Sequence, residues 1–428
     1  MEIRDPVHGS MYFSDNEVQI LDTVEFQRLR AIKQLGFSEF SFPGATHNRY
    51  LHSLGVSHLS GIAFDSIFKI TPFSKASKKS NLRSALRLAA LLHDVGHGPL
   101  SHTTEQVMPY LNKLSVKILQ EQNLENTRRA NHEDYTLKYI TESAIADTLK
   151  KSFSDLLPIH VACLLDKSLT CPDDFFIDQG LDYRPILSQI VSSELDVDRM
   201  DYLERDSYFC GTNYGRIDHH WLLQSMAYQV IDTKVYLALN RRALYSFDDF
   251  LLSRHHMHLM VYCHHKSIIY EEMLNNYLTS PDCDFILPFD INDYTQYNDY
   301  RLHEHLSQSH NPWAQRIAQR KPFKVILEQH RNSTENKANL IFEELRENHF
   351  NVINTSTEAR LSKYHSLPLD EGSMKIFVID QYNPWDLPAP ISQSTEIFQR
   401  YEVSRVIDRI YIDPEQYDKA ERLIKTMG

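Results

Sequence analysis

Apolar residues recur at helical spacing through most of the first 275 positions, and that periodicity restricts this part of the chain to a mainly helical architecture. Leu59, Ile62, Ala63 and Ile67 fall at i, i+3, i+4 and i+8, one face of a helix spanning Leu51 to Ile70. Further helices are predicted over Leu82 to His93, about Leu187 to Tyr208 and about Phe247 to Tyr277. Glycine is scarce, 12 in 428 residues, where average usage would give about 30. Such a shortage disfavours glycine-rich β folds and dinucleotide-binding folds. Gly96, just past the second of these helices, is expected to supply a left-handed terminus there.

The pattern changes near residue 279. Residues 279–300 are rich in Asp and Asn, which suits a connecting segment with short helices after it. Strands are predicted at Lys375 to Ile379 and Val406 to Ile412, and a closing helix from Pro414 to Met427. We therefore read residues 1–275 as one helical domain and residues 276–428 as a helical and α+β region that supplies oligomer contacts. Hydrophobic content of 42% excludes a mainly disordered chain. A net charge of −12 gives no global attraction to nucleic acid, and the basic run Lys75, Lys78, Lys79, Arg83, Arg87 reads as a solvated loop entering a helix, with a local nucleic-acid contact as the alternative. The first residues lack the basic and apolar regions of a secretory signal, and no stretch nears the roughly 20 apolar residues of a membrane span. Five cysteines, without a Cys-x-x-Cys pair, fit reduced thiols in a cytoplasmic protein.

The 22 histidines point to metal or proton chemistry, and the stretch His93-Asp94-Val95-Gly96-His97-Gly98-Pro99-Leu100-Ser101-His102 concentrates them. Neighbours on a helix diverge by about 100°, so an adjacent His-Asp pair at a helix end can straddle one ion. Two ligands do not hold a metal. His52, early in the preceding helix, and Asp198, in Asp196-Val197-Asp198-Arg199-Met200-Asp201-Tyr202, can complete a set of two imidazoles and two carboxylates. Mixed N/O ligation of this kind suits Mn, Fe, Co, Ni or Zn better than calcium and leaves positions for water and substrate.

With those segments, Asp5 to Gly9, Phe26 to Gly36 and Pro43 to Val56 resemble the HD-domain metal-dependent phosphohydrolases. The closer likeness is to their deoxynucleoside triphosphate triphosphohydrolase branch, which includes the HD domain of the vertebrate enzyme with a sterile alpha motif. The resemblance covers residues 1–275 closely and the rest loosely. It implies a helical HD fold and hydrolysis of a dNTP at the α-phosphorus, releasing nucleoside and tripolyphosphate. His102 takes the place of the proton donor to the leaving 5′ oxygen, and Glu105, where the family usually has Asp, lies at i+3 to orient and charge it. His97 and His132 match active-site histidines that touch phosphate or assist protonation; for His132 a surface helix position is the alternative. Arg49, Arg199 and Arg254 match phosphate-binding positions, and Arg199 stands in place of a family lysine.

Gln34 and Asp206 match the pair that reads the sugar 3′-hydroxyl, Tyr202 the ring packed where a 2′-hydroxyl would fit, and His258 and Tyr262 line the nucleotide pocket. For Asp201 and Arg205, which share the Asp198 face, an ion-pair network is the alternative. Asp22, Gln27 and Arg30 match an activating-nucleotide site at a subunit interface; the alternative is an amphipathic helix that merely supports the domain. Mg bridging the phosphates and a homo-oligomer, dimer or tetramer, belong to the same reading. The histidines at 255, 256, 264 and 265 read as packing or surface residues, since no carboxylate or Cys stands at ligand spacing among them. Two other functions share these residues: a phosphodiesterase or nuclease acting on single-stranded DNA or RNA, and a nucleotide-sensing regulatory protein. The acidic net charge weighs against the first, and a complete ligand set with His102 against the second.

Overall fold

The computed structural model describes every residue except 71, 125–126, 332–336, 360, 362–375, 384, 402–404 and 428. Helices dominate it. Arg49–Ile67 and Ala76–Leu92 pack side by side, and Val197–Cys210 crosses the first of them. Asn48 caps Arg49–Ile67 by accepting the Leu51 N–H at 3.2 Å. This helix is buried around most of its circumference rather than on one apolar face, with Ser53, Ser57 and Ser60 inside as well as Leu59, Ala63 and Ile67. Two of those serines find backbone acceptors: Ser57 donates to the Arg87 carbonyl and Ser60 to that of Ser57. Gly55 lets the crossing helix approach, since a Cβ there would lie 1.8 Å from Asp201 Oδ1.

Two of the predicted helices are interrupted. Arg184–Val191 and Val197–Cys210 replace the single stretch expected near 187–208. Asp196 accepts the Ser193 and Arg199 N–H groups and so restarts the chain as an N-cap, the competition with helical bonding that Ser and Asp offer. The stretch expected near 247–277 is Leu244–Met257, a π-helical turn His258–Tyr262, and His265–Leu278 capped by His264. Gly96 does not take a left-handed conformation. It is needed for close approach instead, because a Cβ would lie 2.1 Å from the His132 carbonyl oxygen.

Short β structure also lies within the first 275 residues. Glu2–Asp5 pairs with Gly9–Tyr12, and Met226–Ile231 pairs with Lys234–Asn240 around Asp232, whose φ is 54°. Lys234–Asn240 pairs in parallel with Phe377–Ile379, three of the five residues predicted as a strand; Ile376 lies before it and Lys375 is outside the described residues. Arg405–Ile412, also predicted, runs between Lys324–Arg331 and Val352–Ala359, antiparallel to both. A 3-10 turn at Pro414–Gln416 leads into Tyr417–Met427. One apolar core extends from Met11 to Tyr411, and a second, small one gathers Ala338, Leu345, Ile410, Ile412 and Ala420.

The basic run is used locally. Lys78 and Lys79 donate to backbone carbonyls, while Arg83 and Arg87 pair with Asp65 and Glu17. Among the described residues no helix is long and apolar enough to cross a membrane, and the five cysteines are free thiols.

Candidate active site and metal centre

His52 lies in the first turn of Arg49–Ile67, His93 at the C-cap of Ala76–Leu92, Asp94 next to it, and Asp198 in the first turn of Val197–Cys210. Three separate helix ends thus converge. His52 Nε2 lies 3.0 Å from Asp198 Oδ1 and 3.6 Å from Asp94 Oδ2; His93 Nε2 lies 3.4 Å from Asp198 Oδ1 and 3.3 Å from Asp94 Oδ1. The other ring nitrogens are committed: His52 Nδ1 donates to Asp201 Oδ2 and His93 Nδ1 to the Ala90 carbonyl, at 2.7 and 2.8 Å. Both imidazoles therefore turn an Nε2 lone pair inward. His93 Nε2 is buried without a hydrogen-bond partner.

The electrostatics of this cluster call for a cation. Burial alone would strip His52 and His93 of their protons, yet the surrounding carboxylates outweigh it, and His52 is pushed up to about 10 by Asp198 and Asp201. Burial likewise opposes charge on Asp94 and Asp198, but Arg49 holds the first well below the carboxylate range and the two histidines hold the second below it. Two Nε2 atoms turned inward, one of them without a partner, and two ionised carboxylates fit a divalent metal of the N/O-binding class, which would replace the protons that the carboxylates hold on the rings.

These ligands open on a cavity of about 760 Å³. Gln34, Arg49, His97, His102, His132, Tyr202, Asp206 and Tyr262 line it with them. On one side, Glu105 joins two histidines: its Oε1 accepts from His132 Nδ1 at 2.5 Å and from His102 Nδ1 at 3.0 Å. Burial would raise the Glu105 carboxyl, but those two bonds bring it down to about 2. His132 stacks on His97 with ring centres 3.8 Å apart, and the His102 side chain is 67% exposed at the cavity mouth. On another side, Asp206 accepts from Tyr262 at 2.8 Å and from His47 at 2.7 Å, while Gln34 keeps a buried, unpartnered Oε1.

Other expected residues stand outside the lining. Arg199 pairs with Asp196 and the Ser193 carbonyl. Arg254 pairs with Glu194 and the Leu361 carbonyl. His258, one turn beyond Arg254, meets the Glu358 backbone, and burial lowers its pKa. Gln27 donates to the Leu21 carbonyl, just before Asp22, and accepts from Arg30, whose guanidinium covers the Tyr50 ring at 3.6 Å.

Asp201 is expected from sequence on the Asp198 face, with an ion-pair network as the alternative, whereas the roles of Arg28, Tyr294 and Asp299 are not anticipated there. Asp201 is the partner of His52, and it also takes His8 Nε2 at 2.7 Å and two Arg205 nitrogens at 2.8 and 2.9 Å. Its spacing to Asp198 was the available signal, though an ion pair with Arg205 explains that spacing equally well. Arg28, Tyr294 and Asp299 hold the loop that carries His97, through the His97 carbonyl, the Gly96 carbonyl and the Leu100 N–H respectively. Their sequence separation from the loop leaves no local signal. A further group, His160, Cys171 and Asp173, is not a ligand set: His160 Nδ1 accepts the Leu157 N–H, so Nε2 carries the proton that meets Asp173.

Residues 49–206 match the model of the HD domain, and residues 217–357 that of the HD-associated region. An uncharacterised protein of Methanocaldococcus jannaschii is 30% identical over 327 residues, 76% of this chain and 59% of that protein. The deoxynucleoside triphosphate triphosphohydrolase SAMHD1 of Homo sapiens is 28% identical over 290 residues, 65% of this chain and 44% of that enzyme. Among solved structures, a hypothetical protein from Aquifex aeolicus superposes with a TM-score of 0.74 at 28% identity, covering 99% of each chain. The chain spans about half the length of the curated relatives it matches.

Proposed function

Since the chain belongs to the HD-domain family, we propose that it is a metal-dependent triphosphohydrolase, cleaving a deoxynucleoside triphosphate to deoxynucleoside and tripolyphosphate. The observation that carries the reading is the convergence of His52, His93, Asp94 and Asp198 in a cavity whose lining also holds Arg49, suited to a phosphate, and Gln34, Tyr202 and Asp206, suited to a sugar. A divalent metal held by those four would supply Lewis-acid polarisation of a phosphoryl oxygen and a more acidic water.

The chain's own groups supply the rest. Arg49, beside Asp94 and fixed by Ser101 Oγ at 2.8 Å, presents positive charge to the α-phosphate. Water attacks the α-phosphorus as the bond to the 5′ oxygen breaks, and His102 gives that oxygen its proton. Glu105, whose carboxyl is brought down to about 2 by its bonds to both rings, orients His102 and His132 by accepting from their Nδ1 atoms. Gln34 Oε1, buried and unpaired, accepts from the 3′-hydroxyl, and Asp206 shares that role. The Tyr202 ring, edge-on to Tyr262 with centres 6.3 Å apart, closes the wall on the 2′ side.

An activating nucleotide at Asp22, Gln27 and Arg30 of a homo-oligomer belongs to the same reading. The test is to incubate Mn²⁺-loaded protein with each dNTP and with GTP, with and without a second nucleotide, and to resolve the products. Tripolyphosphate with deoxynucleoside, and dGTP faster than GTP, are expected. Equal rates on dGTP and GTP would refute the sugar assignment, and degradation of single strands without dNTP turnover would replace the whole proposal.

A further inference from the structure

Arg199 and Arg254 lie outside the cavity lining but near Tyr202, which is part of it, and both guanidinium charges bear on the Tyr202 hydroxyl against the upward push of its burial. Both are already paired with a carboxylate of the same short turn. Arg254 Nη1 donates to Glu194 Oε2 at 3.0 Å, and its other terminal nitrogen to the Leu361 carbonyl. Arg199 is held by Asp196, which is fully buried, and by the Ser193 carbonyl. Two positive charges therefore face two negative ones. Asp196 has a structural task, since it caps Val197–Cys210. Glu194 caps no helix. It is 7% exposed, its described side-chain hydrogen bond goes to Arg254, and its charge also acts on Arg199.

We infer that Glu194 determines phosphate-chain specificity by occupying Arg254 in the place of a terminal phosphate, so that only a substrate with charge enough to displace it engages Arg254. The inference rests on the triphosphate reading above. A guanidinium offers its planar fork to a carboxylate and to a phosphate alike. A polyphosphate brings more charge and more acceptor oxygens than Glu194, and it exchanges with it. A monophosphate, held at Arg49 beside the metal ligands, leaves the Glu194 pair intact. Expelling Glu194 opposes binding of the ground state and the transition state equally, so its effect falls on KM and not on kcat.

The test is Glu194→Gln in the full, metal-loaded chain, with Glu194→Ala as a second variant. Calorimetric affinity for inorganic tripolyphosphate should rise about tenfold, the factor that one hydrogen bond to a charged group contributes. KM for a dNTP should fall in parallel with kcat little changed, and affinity for orthophosphate should stay as it is. In an Arg254→Gln background the Glu194 change should have a much smaller effect, since only its weaker action on Arg199 remains. Tripolyphosphate affinity that is unchanged or weaker in both Glu194 variants would overturn the inference, because the carboxylate would then serve only to aim or hold Arg254. If tripolyphosphate binds tenfold tighter but no dNTP is hydrolysed, the specificity role stands and the triphosphohydrolase reading falls.

Discussion

The Asp201 carboxylate takes hydrogen bonds from His52, His8 and Arg205 at once, with no exposure to solvent. In Asp201→Asn the amide cannot accept all of these, and the His52 ring loses the partner that fixes its tautomer. Mn²⁺ affinity, measured by equilibrium dialysis, should drop about 10–100-fold. Arg205 is left buried without full compensation, so unfolding in urea should also come about 3–5 kcal/mol sooner. Unchanged Mn²⁺ affinity would contradict the orienting role. Glu105→Gln separates proton delivery from metal binding: metal content should be kept while kcat falls by about 10²–10⁴, and a loss of metal in that variant would count against the division of labour. The four proposed ligands were legible in sequence because an adjacent His-Asp pair needs distant partners of matching type. Asp201 was legible only as far as its face, since a carboxylate four residues before an arginine reads equally as an ion pair, and in the structure it bonds both Arg205 and His52. Glu194 and His47 lack even that ambiguity, because their partners are far away in sequence.

The loop from Val95 to Ser101 stores strain that its neighbours resist. Leu100 and Ser101 have φ of 53° and 60°, positions where side chains of this size are unfavourable. Asp299 holds them by accepting the Leu100 N–H at 2.7 Å and the Lys33 N–H at 2.9 Å. Ser101 in turn donates to the Lys33 carbonyl and accepts from Arg49, which reaches Asp94. Burial pushes the Asp299 carboxyl up to about 6 from an ordinary 3.8. Between those values the folded state binds the proton more tightly than the unfolded state, so this group's contribution to stability is full below pH 3.8 and declines as pH rises to 6. Asp299→Asn should remove that slope: the wild type should lose stability relative to the variant from pH 4 to 6 and no further above it, by urea midpoint. A difference that grows with pH above 6 would contradict the assignment. Helix periodicity located most elements here but not their interruptions, because Asp196 and His264 cap new helices within stretches whose apolar spacing runs on. The Met226–Ile231 and Lys234–Asn240 hairpin escaped for the complementary reason that short apolar runs fit strand and helix alike.

Across the whole molecule, the segment matching the HD-associated region is clamped to the loop that carries His97. Tyr294 and Asp299 bind it directly, and Arg28 bridges the His97 carbonyl to that of Tyr297. The three-stranded sheet is more separate, with its own small core around Ile410. Ile410→Ala should cost about 2–5 kcal/mol in that sheet and speed its amide exchange, while Mn²⁺ affinity is unchanged; weakened metal binding would mean that the sheet supports the site. The mainly helical class was legible at this scale. The joining of Phe377–Ile379 to Lys234–Asn240 was not, since nothing local announces a pairing across so long a separation. The central claim is attack by water on the α-phosphorus, and turnover of a dNTP in ¹⁸O-labelled water tests it most directly. The account predicts one ¹⁸O in the tripolyphosphate, on the phosphorus that was α, and none in the deoxynucleoside. Label in orthophosphate or pyrophosphate with a nucleotide as co-product, or label in the deoxynucleoside, would contradict it.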